Sequence, residues 1–485
     1  MKIAVVTISP EVLRGLLGAA ARLDEEYPGW GELTWHYASP APSDEAIDTM
    51  CTDVATADLV MCDMMGADSQ WPAALGTTLD TFTGDIISCG PAFAFRARFG
   101  AFDIAGARKP AMGMPKGMPP HIAAQLGRKE GTAQPPTGMP THIAARLGMT
   151  PGASASTAEQ AAPEASDLAA RDARIYAQVT SAFLSMRGDD ADFVLRTLVR
   201  ERGGLPDLEV PDPSGEIAPV QCSWPPTRKR YATWQDFVAE HGPSDGRPVI
   251  ALLHYARSYP IDGETVAAKL VEHLSQAGWV LPVAIDATGT EMVDPLRELL
   301  TSEGLKPDVI VSLLSFRFAA GPMGGDPEAG ASLLSELGAP YVKPIMLTRR
   351  TEQEWRESFQ GLGPAETMVS LVLPEIDGAV NEILVAAMTP TPIDDSPGAP
   401  VVDNLQVIDD QAHRLVQRIQ GLIRLRQLAN HEKRVAIIGY DYPDGEGNML
   451  GAAFLDCAAS IEAILADLAQ EGYQLTVPEP GTLLR

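Results

Sequence analysis

Basic charge is scarce in this 485-residue sequence: 37 Lys and Arg stand against 64 Asp and Glu, a formal net charge of −27. Recognition of nucleic-acid phosphates needs a concentrated basic surface, so the balance argues against a nucleic-acid partner. Cysteine is scarce too. The five (Cys51, Cys62, Cys89, Cys222 and Cys457) are scattered, odd in number and free of the Cys-x-x-Cys or Cys/His spacing of a structural zinc, and read as reduced, mostly buried thiols. No run approaches the roughly 18 apolar residues of a membrane span. The start, MKIAVVTISPEVL, has a Pro in its short apolar stretch and no small-residue cleavage pattern, so a cytoplasmic chain without a transmembrane segment is expected. The motifs G-x-x-x-x-G-K-[ST], G-x-S-x-G and H-E-x-x-H do not occur, which argues against a P-loop, a hydrolase nucleophile elbow and a zincin site in this chain.

What is present is a globular ratio of 45% hydrophobic to 21% charged residues, at a length that suits several domains. The runs KIAVVTI (2–8), LTWHYA (33–38), DLVMCDMM (58–65) and DIISCG (85–90) alternate with helix-like stretches. That is the pattern of strands buried on both faces of a parallel sheet, and residues 1–107 are expected to form one α/β domain. From 108 to 166 the composition turns to Met, Pro, Gly, Ala, Ser and Thr, and GMPPHIAAQLG (117–127) returns as GMPTHIAARLG (138–148). Two copies edged by Pro and Gly cannot bury a stacked core, so this reads as a disordered insertion whose equivalent His121 and His142 face solvent.

Residues 167–246 read as a helical and irregular connector. Residues 247–390 read as a second α/β domain with strand candidates VIALLHY (249–255), WVLPVAI (279–285), DVIVSLL (308–314) and YVKPIML (341–347). Residues 391–431 read as a linker and amphipathic helix, and 432–485 as a terminal βαβ unit, RVAIIGY to YQLTV. A lone βαβ cannot cover both faces of its strands, so this end is expected to join another sheet or be completed by another polypeptide. The expected class is therefore α/β, with two or more doubly wound parallel-sheet (Rossmann/flavodoxin-like) domains and ligand crevices at the carboxyl ends of their strands.

The candidate site residues lie in loops after strands. His254, Tyr255, Arg257 and Tyr259 follow VIALL; Arg257 is suited to pair a carboxylate bidentately, and the alternative is a cap of Arg and two Tyr on the sheet edge. Ser315 and GPMGGD (321–326) follow DVIVSLL. There Gly321, Gly324 and Gly325 permit close backbone approach to a flat or anionic ligand, and Asp326 is placed to N-cap the next helix. Glu366, Glu375 and Asp377 surround an apolar stretch expected as a short strand; paired acids serve proton transfer or metal binding, though acids there more often cap turns. Tyr440 to Asn448 place acids and aromatics just before a helix.

GPMGGD, GLGPAETMVSLVLPEIDG and KRVAIIGYDYPDGEGN followed by GAAFLDCAASIEAIL, in this order, resemble the large tetrapyrrole-binding subunit of the ATP-dependent metal chelatases. That family holds the H subunit of magnesium chelatase and the large subunit of cobaltochelatase. GDIISCGPAFAFRARFGAFDI and ARSYPIDGETV look more like the magnesium enzyme. The resemblance implies a chain that holds a porphyrin substrate while AAA+ motor subunits use ATP and Mg²⁺, with no cofactor of its own. Family members are more than twice this long and carry a His-Gly motif with a following Glu and Pro-Gly. Here His241-Gly242 lacks those partners, so the resemblance is to the N-terminal part, with a second chain expected to supply the rest. The resemblance implies magnesium insertion into protoporphyrin IX; a non-catalytic tetrapyrrole carrier or regulator and a cobaltochelatase-type fragment are the alternatives.

Overall fold

Unbroken burial along the first apolar run sets the architecture. In the computed structural model, which describes residues 1–38, 42–64, 67–104, 163–215, 218–256, 263–286, 290–321, 324–393, 401–439 and 455–483, this run is β1 (Lys2–Thr7). β1 pairs in parallel with β2 (Glu32–Tyr37) on one side and β3 (Leu59–Cys62) on the other, and β3 pairs in parallel with β4 (Asp85–Ser88). Two short antiparallel strands, β5 (Arg98–Phe99) and β6 (Phe102–Asp103), close that edge, giving the order β2-β1-β3-β4-β5-β6.

Ile3 and Val5 pack into a cluster with Val12, Leu13 and Leu16 of α1 (Pro10–Glu26). Ala4 and Val6 point the other way, into a cluster with Met50 and Val54 of α2 (Asp44–Thr56) and Trp71 and Leu75 of α3 (Gln70–Leu79). Cover on both faces explains why the strand reads as continuously apolar. The first cluster also takes Tyr176, Val179 and Phe183 of α4 (Pro163–Ser185) and Val194 and Leu198 of α5 (Asp190–Arg202). Most of the 108–166 insertion, His121 and His142 included, lies outside the described residues.

The second sheet opens with β7 (Val220–Trp224) and β8 (Lys229–Arg230), followed by α6 (Trp234–His241). Its centre is β9 (Val249–Tyr255), α7 (Gly263–Leu274), β10 (Trp279–Ile285), α8 (Val293–Thr301) and β11 (Val309–Ser312). A glycine hairpin, β12 (Ala320–Gly321) and β13 (Gly324–Gly325), leads into α9 (Pro327–Leu337) and β14 (Tyr341–Val342). The chain continues through β15 (Ile345–Thr351), α10 (Glu352–Glu357), α11 (Pro364–Thr367), a π-turn (Met368–Val372), α12 (Leu373–Ile376), β16 (Ala379–Val380), β17 (Leu384–Pro392) and β18 (Val401–Val407). The second sheet has the order β16-β14-β11-β9-β10-β7-β8; the pairs from β10 to β16 are parallel and β7 runs antiparallel to β10. β15, β17 and β18 form a third, mixed sheet. The protein is thus α/β, with parallel cores and antiparallel edge strands in place of wholly parallel sheets.

Three expectations are corrected. YVKPIML is two strands: Pro344 has no N–H to give a ladder, and the chain passes there from the second sheet into the third. Beside it the chain makes a second crossing from β16 to β17, the two joined where Ile345 N donates to Ile383 O (2.8 Å). Residues 364–376 are helical rather than a strand; Met368, Val372 and Ile376 recur every fourth residue, and a short apolar run is ambiguous between the two periods. The expected strands RVAIIGY (434–440, of which Tyr440 lies outside the described residues) and YQLTV (473–477) pair with nothing among the described residues.

The described residues form two units, Met1–Val416 and Gln417–Arg485, with α13 (Asp409–Gln427) running through the division. In the second unit α14 (Cys457–Gln470) is capped by Asp456, whose side chain accepts from Ala459 N, yet buries none of its residues. No helix among the described residues is long and apolar enough to cross a membrane.

Candidate functional site

The carboxyl ends of β9, β11, β14 and β16 form one rim, and the strand order reverses between β9 and β11, where a ligand crevice is expected. Tyr255 ends β9 and Ser315 lies three residues past β11. Ser315 N donates to the Tyr255 hydroxyl (2.9 Å), so the two predicted residues meet across the switch point. Burial pushes the Tyr255 phenol up, keeping it neutral.

Past Ser315 the loop is held by Asp377, whose side chain is fully buried. Its Oδ1 accepts from Arg317 Nε (3.0 Å) and Nη2 (2.5 Å), and its Oδ2 accepts from Phe318 N (2.8 Å). Phe316 and Ala319 take left-handed backbone in the same loop, and Phe316 N donates to Val369 O in the π-turn (3.3 Å). Non-glycine residues rarely sit there, so the Asp377 clamp offsets a conformational cost. Tyr341, beneath this loop, is held neutral by burial, which raises its phenol.

The other predicted residues divide. His254 is fully buried: Nδ1 donates to its neighbour's carbonyl, Tyr255 O (2.9 Å), and Ser223 Oγ donates to Nε2 (2.8 Å). Ser223 is equally buried, so this Ser–His pair ties β7 to β9 rather than offering a nucleophile. Glu366 accepts from Arg350 Nη2 (2.8 Å) and Gly363 N (2.9 Å), while Glu375 is exposed. The three acids therefore do not converge. Gly321 and Gly324 pair within the hairpin. Gly325, at φ +141°, is required by the hairpin itself, since a Cβ there would lie 2.4 Å from Ala319 O and 2.6 Å from Ala320 Cα. Asp326 caps α9 as expected, accepting from Ala329 N (3.0 Å). Arg257, Tyr259, Tyr440 and Asn448 lie outside the described residues.

Sequence reasoning missed several buried polar groups. Lys343 follows β14 and is fully buried; its Nζ donates to Pro344 O (3.2 Å), and burial lowers its ammonium to about 8, against the pull of Glu382. Oε1 of Glu382 is buried without a hydrogen-bond partner. Arg230 pairs with Glu264 through Nη1–Oε1 (2.6 Å) and Nη2–Oε2 (3.2 Å), both side chains buried, and Nη2 also donates to Ala256 O (3.1 Å). On the first sheet, Asp63 follows β3 at the matching rim and accepts from Thr7 Oγ1 (3.3 Å). A lone charge next to an apolar strand, as in LVMC-Asp63 and YV-Lys343, was the available signal. At the opposite rim of that sheet, a cavity of about 410 Å³ is lined by Met1, Asp58, Asp85, Arg202 and Gly203.

A family model for CobN/Magnesium Chelatase matches residues 188–485, more than half of the chain and the whole of the second sheet. The H subunit of magnesium chelatase from Cereibacter sphaeroides is 31% identical over 190 residues, 38% of this chain and 16% of that one. The chloroplastic magnesium-chelatase subunit ChlH of Oryza sativa subsp. indica is 28% identical over 238 residues, 47% of this chain and 16% of that one. The aerobic cobaltochelatase subunit CobN of Sinorhizobium sp is 24% identical over 285 residues, 57% of this chain and 22% of that one. The chain thus spans about a fifth or less of the length of these relatives. With more than half of its residues matched in one stretch, the chain belongs to the CobN/magnesium chelatase family.

Proposed function

We propose that this chain is a tetrapyrrole-binding, large-subunit-like component of an ATP-dependent chelatase that inserts magnesium into protoporphyrin IX in the cytoplasm. The observation that carries this reading is the family match over 188–485, which includes the entire rim from Tyr255 to Asp377. Mg²⁺ is the substrate metal, and its reluctance to shed water supplies the reason for coupling insertion to ATP. AAA+ motor subunits supply that coupling in this reading. We read both parallel cores as doubly wound sheets, supported by the strand orders and by helices against both faces of β1.

A flat apolar ring suits the row Met368, Val372 and Ile376, which is solvent-exposed and hydrogen-bonded to the rim through Val369. An apolar partner surface suits the second unit. There Val435, Ile438 and Leu455 are 56%, 92% and 57% exposed, a poor arrangement for apolar side chains left in water.

Titration of the purified chain with protoporphyrin, followed through the Soret band, tests the ligand class; a flat titration refutes it. Adding motor subunits, ATP and a second chain tests insertion, read as metalloporphyrin fluorescence. Incorporation of Co²⁺ into a corrin, but not Mg²⁺ into porphyrin, assigns the chain to the cobalt branch. A Soret shift with no insertion under any partner set assigns it to carriage.

A further inference from the structure

Helix α7 buries Val266, Ala267, Leu270 and Val271, and with them an imidazole, His273, only 8% exposed. A buried imidazole ordinarily has hydrogen-bond partners, because burying an unpaired polar nitrogen is costly. Here neither Nδ1 nor Nε2 of His273 has one. Its near neighbours come from the first turns of α13. Oδ1 of Asp409 lies 3.3 Å from Nε2, without the alignment of a hydrogen bond, and the His413 ring lies edge-on, centroid to centroid 5.1 Å at 80°. Asp409 and His413 are four residues apart, so one face of α13 presents both. The His413 Nδ1 donates to Asp409 O (2.7 Å), which fixes the tautomer and leaves Nε2 with its lone pair free for a metal.

We propose that His273, Asp409 and His413 form a site for a divalent transition-metal ion of the zinc type, joining α7 to the start of α13. Around a tetrahedral ion with ligand bonds near 2.0–2.1 Å, an imidazole nitrogen and a carboxylate oxygen stand about 3.3 Å apart, and two imidazole centroids about 5 Å apart. The observed separations are 3.3 Å and 5.1 Å. As placed, no three His, Cys, Asp or Glu side chains among the described residues enclose an ion. His273 and Asp409 supply a preset pair, and His413, exposed, closes the set by turning about its own side-chain bonds, exchanging its hydrogen bond to Asp409 O for the ion. Two imidazoles and one carboxylate favour zinc, cobalt or nickel over the hard cations magnesium and calcium, so the site is chemically distinct from one that handles Mg²⁺. Asp409 is 73% exposed, which gives the ion a way in, and a fourth position is left to water. Lys269 on the same helix pairs with Glu272 (2.6 Å) and lies within Coulombic reach of Asp409.

The test uses the full chain, freed of metal with a chelator and titrated with Co²⁺ as a visible stand-in for Zn²⁺. The expected result is one Co²⁺ per chain with tetrahedral visible bands that Zn²⁺ bleaches. Asp409→Asn and His413→Gln, both surface changes that leave the core intact, each weaken binding at least about tenfold. His431→Gln, an exposed histidine elsewhere, leaves it unchanged. The proposal is overturned if no visible band forms, or if the band survives in both Asp409→Asn and His413→Gln. In the first case the trio is an ion pair with an adjacent ring; in the second, other histidines bind the ion adventitiously.

Discussion

Removing the Asp377 carboxylate tests whether the rim loop is held by charge. Asp377 is buried, and its two oxygens take three hydrogen bonds from two groups, the Arg317 guanidinium and the Phe318 amide. A hydrogen bond to a charged group contributes about 1.5–3 kcal/mol, and Arg317, at 28% exposure, regains part of this from water once released. The Phe318 amide is buried and regains nothing. Asp377→Ala should therefore destabilise the 315–319 loop by about 3 kcal/mol. Asp377→Asn, which retains an acceptor but no charge, should cost about 1–2 kcal/mol. The assay is hydrogen exchange at the Phe318 amide, where about 1.4 kcal/mol corresponds to a tenfold change; exchange should quicken about a hundredfold in Asp377→Ala. A double-mutant cycle with Arg317→Ala should return a coupling of about 1 kcal/mol or more. Unchanged exchange in Asp377→Ala, with coupling near zero, refutes the clamp.

Three further outcomes follow from the same geometry. Burial lowers Lys343 to about 8, so between that pH and the ordinary lysine value of about 10.4 the unfolded chain holds a proton that the folded chain has released. Stability contributed through this group should rise with pH across that window, and the wild-type-minus-variant difference for Lys343→Met with Glu382→Gln should show the rise; a flat difference counts against it. Gly325→Ala would force a Cβ to within 2.4 Å of Ala319 O and should cost about 2 kcal/mol or more by denaturant melt, with a neutral result showing that the hairpin shifts freely. Ile438→Asp should leave unfolding within about 0.5 kcal/mol of wild type, because the side chain is 92% exposed, while weakening co-purification with a partner chain; an unfolded variant would mean that Ile438 packs within the fold.

The central strands were legible because burial on both faces writes itself as unbroken Val, Ile and Leu, as in β1, β9 and β10. Pro344 was the signal that YVKPIML divides, and it carries its meaning only once the neighbouring β16–β17 crossing is seen. For 364–376 a run of apolar residues fitted either period, and Pro364 and Pro374 stand in the first turns of its two α-segments, where a missing N–H costs nothing. Terminal runs such as RVAIIG have the composition of strands, but a strand exists only with a partner. The rim was legible as a place, since Tyr255 ends β9 and Ser315 follows β11, both elements that the pattern located, while Asp377 follows a stretch expected as a strand and found helical. Other contacts were not: Arg317, Ser223 and Glu264 are ordinary by local sequence, and what they touch depends on topology. The need for glycine at 325 was visible, and the hairpin's own backbone is enough to require it.

The rim shares one design: its described arginines are already spent. Arg317 is held by Asp377, Arg350 by Glu366 and Arg230 by Glu264. Such pairs contribute little net attraction for a further anion, and breaking one leaves a buried charge whose cost moves the backbone. Their role is to fix shape, as the left-handed Phe316 and Ala319 beside Asp377 indicate. A variant that loses one partner therefore changes the loop before it changes any contact with a ligand. Loss of ring binding in Asp377→Asn or Glu366→Gln gains meaning only beside the exchange behaviour of the same loop. If exchange is native and binding is lost, the carboxylate itself meets the ring; if both fail together, the ring depends on a surface that the pair holds in place.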